Sequence, residues 1–282
     1  MSGVSSGFGK LTVPLLLEKG HTVVAGLRGG QSRLESLFPE ELKKFPNLLH
    51  AVELNLEKSA ELTQAAALIQ KRFGGKLDVL INNAGYGLLG VLEDQSDEQI
   101  RYQMEINFTG TALLTRAMLP ALRAAKGRIL NVSSIAGRTG FPFYGSYCAS
   151  KYALEGLMEC LYYDLRPFQV QIGMIEPGGF KTSFTQAKQF GVSSDNPSSP
   201  YYERTQGFKK VFDKTSGRLD DPMKVARLIS RLCDARRIPF RNRIGRDAFS
   251  LQLLEWIVPE RMRLPLVHFI FNSMLKNTQS RH

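Results

Sequence analysis

Five short apolar runs alternate with helix-length stretches along the first two thirds of the chain, and this rhythm constrains the fold more than any other feature. The runs at 22–26, 48–54, 78–82, 128–132 and 170–175 read as strands. The stretches at about 9–19, 59–73, 97–123 and 147–166 read as helices. Strictly alternating strands and helices predict an α/β fold, a doubly wound parallel sheet with helices on both faces. At 43% apolar and 22% charged residues, the 282-residue chain is not a disordered one and can bury one large core. It reads as a single unit over 1–282. No repeat or low-complexity stretch interrupts it.

The segment 180–222 breaks the rhythm. It carries Gly191, Pro197, Pro200 and seven aromatics: Phe180, Phe184, Phe190, Tyr201, Tyr202, Phe208 and Phe212. A loop this long is usually functional or mobile. The aromatics are either core anchors or a lid over an apolar ligand.

The first residues, Ser2-Gly3-Val4-Ser5-Ser6-Gly7-Phe8-Gly9, form a glycine-rich turn that leads into a helix. Glycines let a backbone approach a pyrophosphate, and a helix N-terminus supplies donors and a positive dipole end. The next strand ends in Gly26-Leu27-Arg28. An acidic residue there suits the ribose 2′-hydroxyl of NAD, whereas an arginine suits a 2′-phosphate. NADP(H) is therefore expected over NAD(H), unless Arg28 is a surface charge beside a Gly-Gly turn.

A second constellation lies in mid-chain. Asn82-Asn83-Ala84-Gly85 follows one apolar run, and Ser134 follows another. Tyr147 comes thirteen residues after Ser134, and Lys151 one helical turn after Tyr147. Each residue alone is ordinary. Their order, spacing and strand–helix context agree, and the agreement carries the inference.

These residues resemble the short-chain dehydrogenase/reductase family. The family pattern Thr-Gly-x-x-x-Gly-x-Gly matches Ser2 to Gly9, and Asn-Asn-Ala-Gly matches 82–85. The central-helix Asn matches Asn107, Tyr-x-x-x-Lys matches Tyr147 and Lys151, and the Pro-Gly segment matches Pro177-Gly178 with Thr182 following. The resemblance is close over 2 to about 182 and loose beyond. It implies a Rossmann-type sheet. It also implies cofactor contacts from Gly3, Ser5, Ser6, Gly7, Phe8, Gly9, Arg28, Asn55, Leu56, Asn83, Ala84, Gly85, Tyr147, Lys151, Pro177, Gly178, Phe180 and Thr182, the last of which could equally be a cap.

Hydride transfer to a carbonyl needs an acid for the developing alkoxide and a donor that holds its oxygen. Tyr147 is the expected acid, with Lys151 lowering its pKa across one helical turn. Ser134 is expected to orient the substrate oxygen. The resemblance implies that Lys151 also holds the ribose hydroxyls and that Asn107 holds a water for proton return. Val132 and Ile135 are read as packing. The substrate side is apolar, with Tyr86, Leu88, Phe141, Phe143, Tyr144 and Phe184 as candidates beside Leu89. Apolar pockets with one polar focus suit a lipophilic secondary alcohol or ketone. The Asn-Ala-Gly-Tyr-Gly stretch and long lid are similar to hydroxysteroid and retinol dehydrogenases within the family.

Two features depart from the family pattern. The chain starts inside the glycine loop, so the sheet's central first strand is expected to be absent and its neighbours to lose ladder partners. The expectation is then a shortened version of a longer protein. The adenine-contacting Asp after the next strand is Asn55, which still accepts a hydrogen bond.

Net charge is +11, and 236–282 hold nine Lys/Arg against three Asp/Glu. That basicity is either a solvated face or a site for a phosphate-bearing ligand or anionic lipid. No nucleic-acid-binding motif is present, and nucleic acid is not expected. Cys148, Cys160 and Cys233 have no metal-ligand spacing and are expected as free thiols in a reducing, cytoplasmic compartment, with no metal. The C-terminal extension, 248–282, is rich in large apolar residues. It is read as a pocket-closing helix, a subunit interface or an interfacial membrane helix. A homo-oligomer through the helices at 97–123 and 147–166 is what the resemblance implies. Competing readings are a non-catalytic nucleotide sensor, an inactive fragment, and an isomerase or dehydratase.

Overall fold

The computed structural model describes residues 1–182, 188–216 and 219–279. In chain order, α1 (Gly7–Glu18), β1 (Val23–Leu27), α2 (Gly30–Leu37), α3 (Pro39–Lys44), β2 (Leu49–Glu53), α4 (Ser59–Arg72) and β3 (Val79–Asn82) come first. A two-residue strand β4 (Leu88–Leu89) follows, then α5 (Asp97–Met104), a π-helical turn (Glu105–Thr109), α6 (Gly110–Ala125), β5 (Arg128–Val132), α7 (Gly145–Leu165) and β6 (Gln171–Pro177). The remainder is β7 (Gln189–Phe190), α8 (Tyr202–Ser216), α9 (Met223–Asp234), β8 (Arg241–Ile244), α10 (Arg246–Ile257) and α11 (Glu260–Gln279).

Among the described residues the strand pairings are all parallel. Strands β3, β5, β6 and β8 form one sheet in that order, and β1 pairs with β2. Strand β6 is buried over six of its seven residues, as a strand covered on both faces must be. On one face α1 and α9 supply Val13, Leu16, Leu17, Val225 and Ile229; on the other α4, α6 and α7 supply Leu62, Ile69, Leu114, Met118, Leu154 and Met158. Each such side chain contributes about 1.5–3 kcal/mol of burial. The spacing of Val225, Leu228, Ile229 and Leu232 is that of one helical face, which is why α9 forms and why it docks on α1.

The expected break in the sheet centre is spanned by two residues. Ser2 N–H donates to Ile81 O (3.0 Å), and Gly26 N–H donates to Met1 O (2.8 Å). A parallel bridge links Ser2 to Gly26. The neighbouring strands thus keep partners at their C-terminal ends. Beside these two residues an apolar cavity of about 300 Å³ separates β1 from β3, lined by Leu16, Val23, Leu80, Ile81, Leu114 and Met118 among others.

Strand β8 has a polar sequence, Arg-Asn-Arg-Ile, and is held by charge as well as by its ladder. Arg241 reaches Glu155 of α7 (2.6 Å) and the fully buried Glu176 of β6 (2.7 Å), while Arg243 holds the other Glu176 oxygen (2.8 Å). The 180–222 segment is not one long loop. Strand β7 pairs with β4, and the fifteen-residue α8 follows. Phe208 of α8 packs with Phe143, Leu89 and Leu275, so the aromatics act as core anchors there, and α11 closes over them.

Candidate active site

The chain ends of the parallel strands open onto one cleft of about 860 Å³, the crevice position expected of an α/β sheet. Arg28 follows β1, Asn83 to Gly85 follow β3, Ser133 and Ser134 follow β5, and Gly178 to Phe180 follow β6. All of them line it. The glycine-rich loop is laced to the segment after β3. Ser2 Oγ accepts from the N–H groups of Asn83 and Ala84 (3.1 Å each), and Asn83 Nδ2 donates to Gly3 O (2.8 Å). A Cβ on Gly9 would collide with Gly3 O, so the loop closes onto α1 only because residue 9 has none. Gly3, Ser5, Ser6, Gly7 and Phe8 line the cleft, and Phe8 meets Phe180 edge-on at 5.6 Å.

On the far edge Arg28 is 72% exposed and lies 3.7 Å from Glu57. Asn55 and Leu56 line the cleft, with Asn55 Oδ1 accepting from Glu57 N–H. Pro177 and Thr182 line it at the other end.

The mid-chain constellation converges. Ser134 caps the 3-10 turn Ile135–Gly137, accepting from Ala136 N–H (3.1 Å), and its hydroxyl bonds the Tyr147 phenol. Tyr147 and Lys151 are both buried on α7. Lys151 Nζ donates to Val132 O (3.0 Å) and lies 5.8 Å from the centre of the Tyr147 ring. Asn107 sits in the π-helical turn, and its Oδ1 accepts from Tyr86 N–H (3.0 Å). Its amide donates to Tyr86 O and to Ser150 Oγ (3.0 Å each). A Cβ on Gly85 would stand 3.1 Å from Asn107 Oδ1 and 3.7 Å from Lys151 Nζ, so Gly85 lets these two groups approach one point.

The electrostatics correct one expectation. Burial pushes the Tyr147 phenol up to about 12, against a lowering contribution from the Ser134 hydrogen bond. Burial also draws the Lys151 ammonium down to about 8, with Glu155 opposing. Desolvation therefore outweighs the lowering expected from Lys151, whose ammonium is bonded to Val132 O.

The apolar side is partly as expected. Tyr86, Phe141 and Tyr144 line the cleft. Leu88 does not: it is fully buried in β4, with its N–H bonded to Gln103, and Leu89 lines the cleft instead. Phe143 does not either. It stacks on Phe208 at 4.6 Å, held at a positive φ of 67° while its carbonyl accepts from Gly90 N–H. Phe184 lies outside the described residues.

A family model described as short chain dehydrogenase matches residues 1–191. The chain belongs to the short-chain dehydrogenase family. This dehydrogenase is 35% identical over 246 residues to a 3-ketodihydrosphingosine reductase of Bacteroides thetaiotaomicron, covering 87% of this chain and 86% of that one. It is 34% identical over 189 residues to the mitochondrial D-beta-hydroxybutyrate dehydrogenase of Bos taurus, covering 64% of this chain and 53% of that one. A solved short-chain dehydrogenase from Streptomyces avermitilis superposes with a TM-score of 0.78 at 28% identity, covering 100% of this chain and 96% of that one. A Burkholderia cenocepacia short-chain dehydrogenase solved with NADP shares the fold, with a TM-score of 0.70 at 24% identity, covering 93% of each chain. The protein is an NAD(P)-dependent oxidoreductase of this family.

Further polar residues of this dehydrogenase bear on the site although no motif in the sequence singles them out. Arg33, on α2, lines the cleft near Arg28. Ser150 links Asn107 to α7 and donates to Tyr147 O (2.7 Å). Asp247, at the start of α10, accepts from Gly179 N–H (2.6 Å) and abuts Gly178. Only Ser150 carried a local signal, its place beside Lys151.

Proposed function

We propose that this dehydrogenase uses NADP(H) to interconvert a lipophilic ketone and its secondary alcohol. The observation that carries the reading is one cleft. Its nucleotide side has glycine walls and two arginines, its other side presents Leu89, Phe141 and Tyr144, and Tyr147 and Lys151 open into it. The residues suit a dinucleotide. Ser6 caps α1 without a side-chain bond, leaving first-turn N–H groups for a pyrophosphate. Arg28 and Arg33 would hold the 2′-phosphate, Asn55 and Leu56 the adenine, and Asn83, Ala84 and Gly85 the floor of the pocket. Pro177, Gly178, Phe180 and Thr182 would hold the nicotinamide end. Bound there, NADPH supplies the hydride.

The chain's own residues handle oxygen and proton. Ser134 holds the carbonyl oxygen by hydrogen bond. Tyr147 gives that oxygen its phenolic proton as negative charge develops. Because burial holds the phenol near 12, it stays protonated across the neutral range and is always ready as the acid. Lys151, near 8, stabilises the tyrosinate and can return a proton to it at neutral pH. It also binds the ribose hydroxyls. Asn107, beside Lys151 across Gly85, would anchor the path for that proton. Both its amide donors are committed to protein, so only its Oδ1 can accept from a further partner.

Two associations belong to the same reading. Tyr152 and Tyr163 of α7 are exposed large aromatics and fit a homo-oligomeric contact between copies of α7. Helices α10 and α11 expose Phe249, Leu253, Trp256, Leu264 and Phe269 together with Arg246 and Arg261. Apolar bulk with cations fits a peripheral contact with an anionic lipid surface. No helix among the described residues is long and apolar enough to cross a membrane.

Fluorescence titration with NADPH and NADH tests the cofactor. Arg28→Asp should weaken NADPH binding at least tenfold and favour NADH; equal effects on both cofactors would defeat the 2′-phosphate assignment. A substrate screen that finds turnover only of small polar sugars would defeat the lipophilic one.

A further inference from the structure

Lys188 is a cation held against an apolar wall. Its side chain is only 14% exposed and lines the cleft. The ammonium lies 3.1 Å from the centre of the Phe212 ring and 5.7 Å from that of Phe190. Its acidic neighbour, Asp213, is 3.8 Å away and 79% exposed, so solvent screens that pairing. The adjacent Lys209 is differently placed, because Asp195 sits at 2.6 Å from it. Burial lowers the Lys188 pKa, Asp213 opposes the shift, and Lys209 adds to it.

The position of Lys188 is fixed by the backbone. Gln189 N–H donates to Gly87 O, two residues beyond the Gly85 that adjoins Lys151 and Asn107. A run of ring contacts connects Lys188 to the acid. Tyr147 meets Tyr144 at 6.3 Å, Tyr144 meets Phe208 at 6.0 Å, and Phe208 meets Phe212 at 6.0 Å. A ketone placed at Tyr147 with its chain along this wall would end beside the ammonium. A wholly apolar substrate leaves that cation only the exposed, solvent-screened Asp213 at 3.8 Å as counter-charge, and desolvating a cation without a tight anion is costly.

We infer that Lys188 is a specificity-determining residue that receives a carboxylate at the far end of the lipophilic ketone, so that the preferred substrates are oxo acids. This deepens the reading above and rests on its lipophilic ketone.

The experiment uses the full chain with saturating NADPH and two probes, a medium-chain oxo acid and its methyl ester. They share the ketone and differ in the charge. The wild-type KM for the acid should be about tenfold below that for the ester, the worth of one charge-assisted hydrogen bond. Lys188→Met should raise the acid KM about tenfold, leave kcat within twofold and leave the ester KM within twofold. Lys188→Arg should keep the preference. Equal wild-type KM values, or an acid and ester that shift together in Lys188→Met while Lys188→Arg behaves normally, would overturn the assignment alone. NADPH binding with turnover of neither probe would instead overturn the lipophilic-ketone reading, and the assignment with it.

Discussion

The two sides of the sheet are built to different standards. On one side β3, β5, β6 and β8 form an unbroken parallel ladder, cross-linked by Arg241 and Arg243 to Glu155 and Glu176. On the other, β1 and β2 pair with each other and are hydrogen-bonded towards β3 through Met1 and Ser2, with an apolar cavity of about 300 Å³ alongside. Ser134, Tyr147 and Lys151 belong to the first side. Arg28, Arg33 and Asn55 belong to the second. Proton chemistry tolerates little misplacement, and its groups stand on the continuous ladder. The nucleotide grip stands on the β1–β2 side of the cleft.

The largest break in this contrast should come from Tyr147→Phe. It should cut kcat between 10²- and 10⁴-fold and leave NADPH affinity within threefold, read by steady-state kinetics beside fluorescence titration. Comparable losses in both would mean that the two functions are not separable. Next is Arg241→Met, which leaves the fully buried Glu176 with one guanidinium fewer. Denaturant unfolding should show a loss of about 3 kcal/mol that NADPH does not selectively recover. Ser2→Ala removes the acceptor for two N–H groups at the joint and should cost about 1–3 kcal/mol. Denaturant unfolding reads this loss, and an unchanged midpoint would contradict a structural role for the Ser2 hydroxyl. The smallest effect is with pH. The Lys151 ammonium is populated below its pKa of about 8 and lost above it, so ketone reduction should fall about tenfold from the plateau by pH 9. A steady-state rate flat from pH 7 to 10 would remove Lys151 from the proton path.

What could be read in advance follows the same division. The strands of the central ladder are apolar runs, and the residues after them fall at family spacings, so Ser134, Tyr147, Lys151 and Gly85 were legible by position. Strand β8 was not, because Arg-Asn-Arg-Ile has no apolar pattern and its place depends on glutamates 65 and 86 residues earlier. Helix α8 was hidden by its polar, lysine-bearing sequence. Leu88 and Phe143 were misjudged because which of two neighbours faces a cleft depends on distant partners, Gln103 for one and Phe208 for the other. The direction of the Tyr147 shift escaped for a related reason. Helical spacing shows that Lys151 is near, and it says nothing of Val132 O or of how dry the site is.

The π-helical turn at Glu105–Thr109 bears on how this protein can be edited. A π turn is an α-helix carrying one residue too many, and each residue of an α-helix advances the face by about 100°. Removing one residue from the turn would let α5 run smoothly into α6, yet it would rotate everything on one side of the cut by that angle. Asn107 would leave Tyr86 and Ser150, or Leu114 and Met118 would leave the core. The segment should therefore accept changes of letter more readily than changes of length, and libraries for altered substrates should keep its residue count fixed.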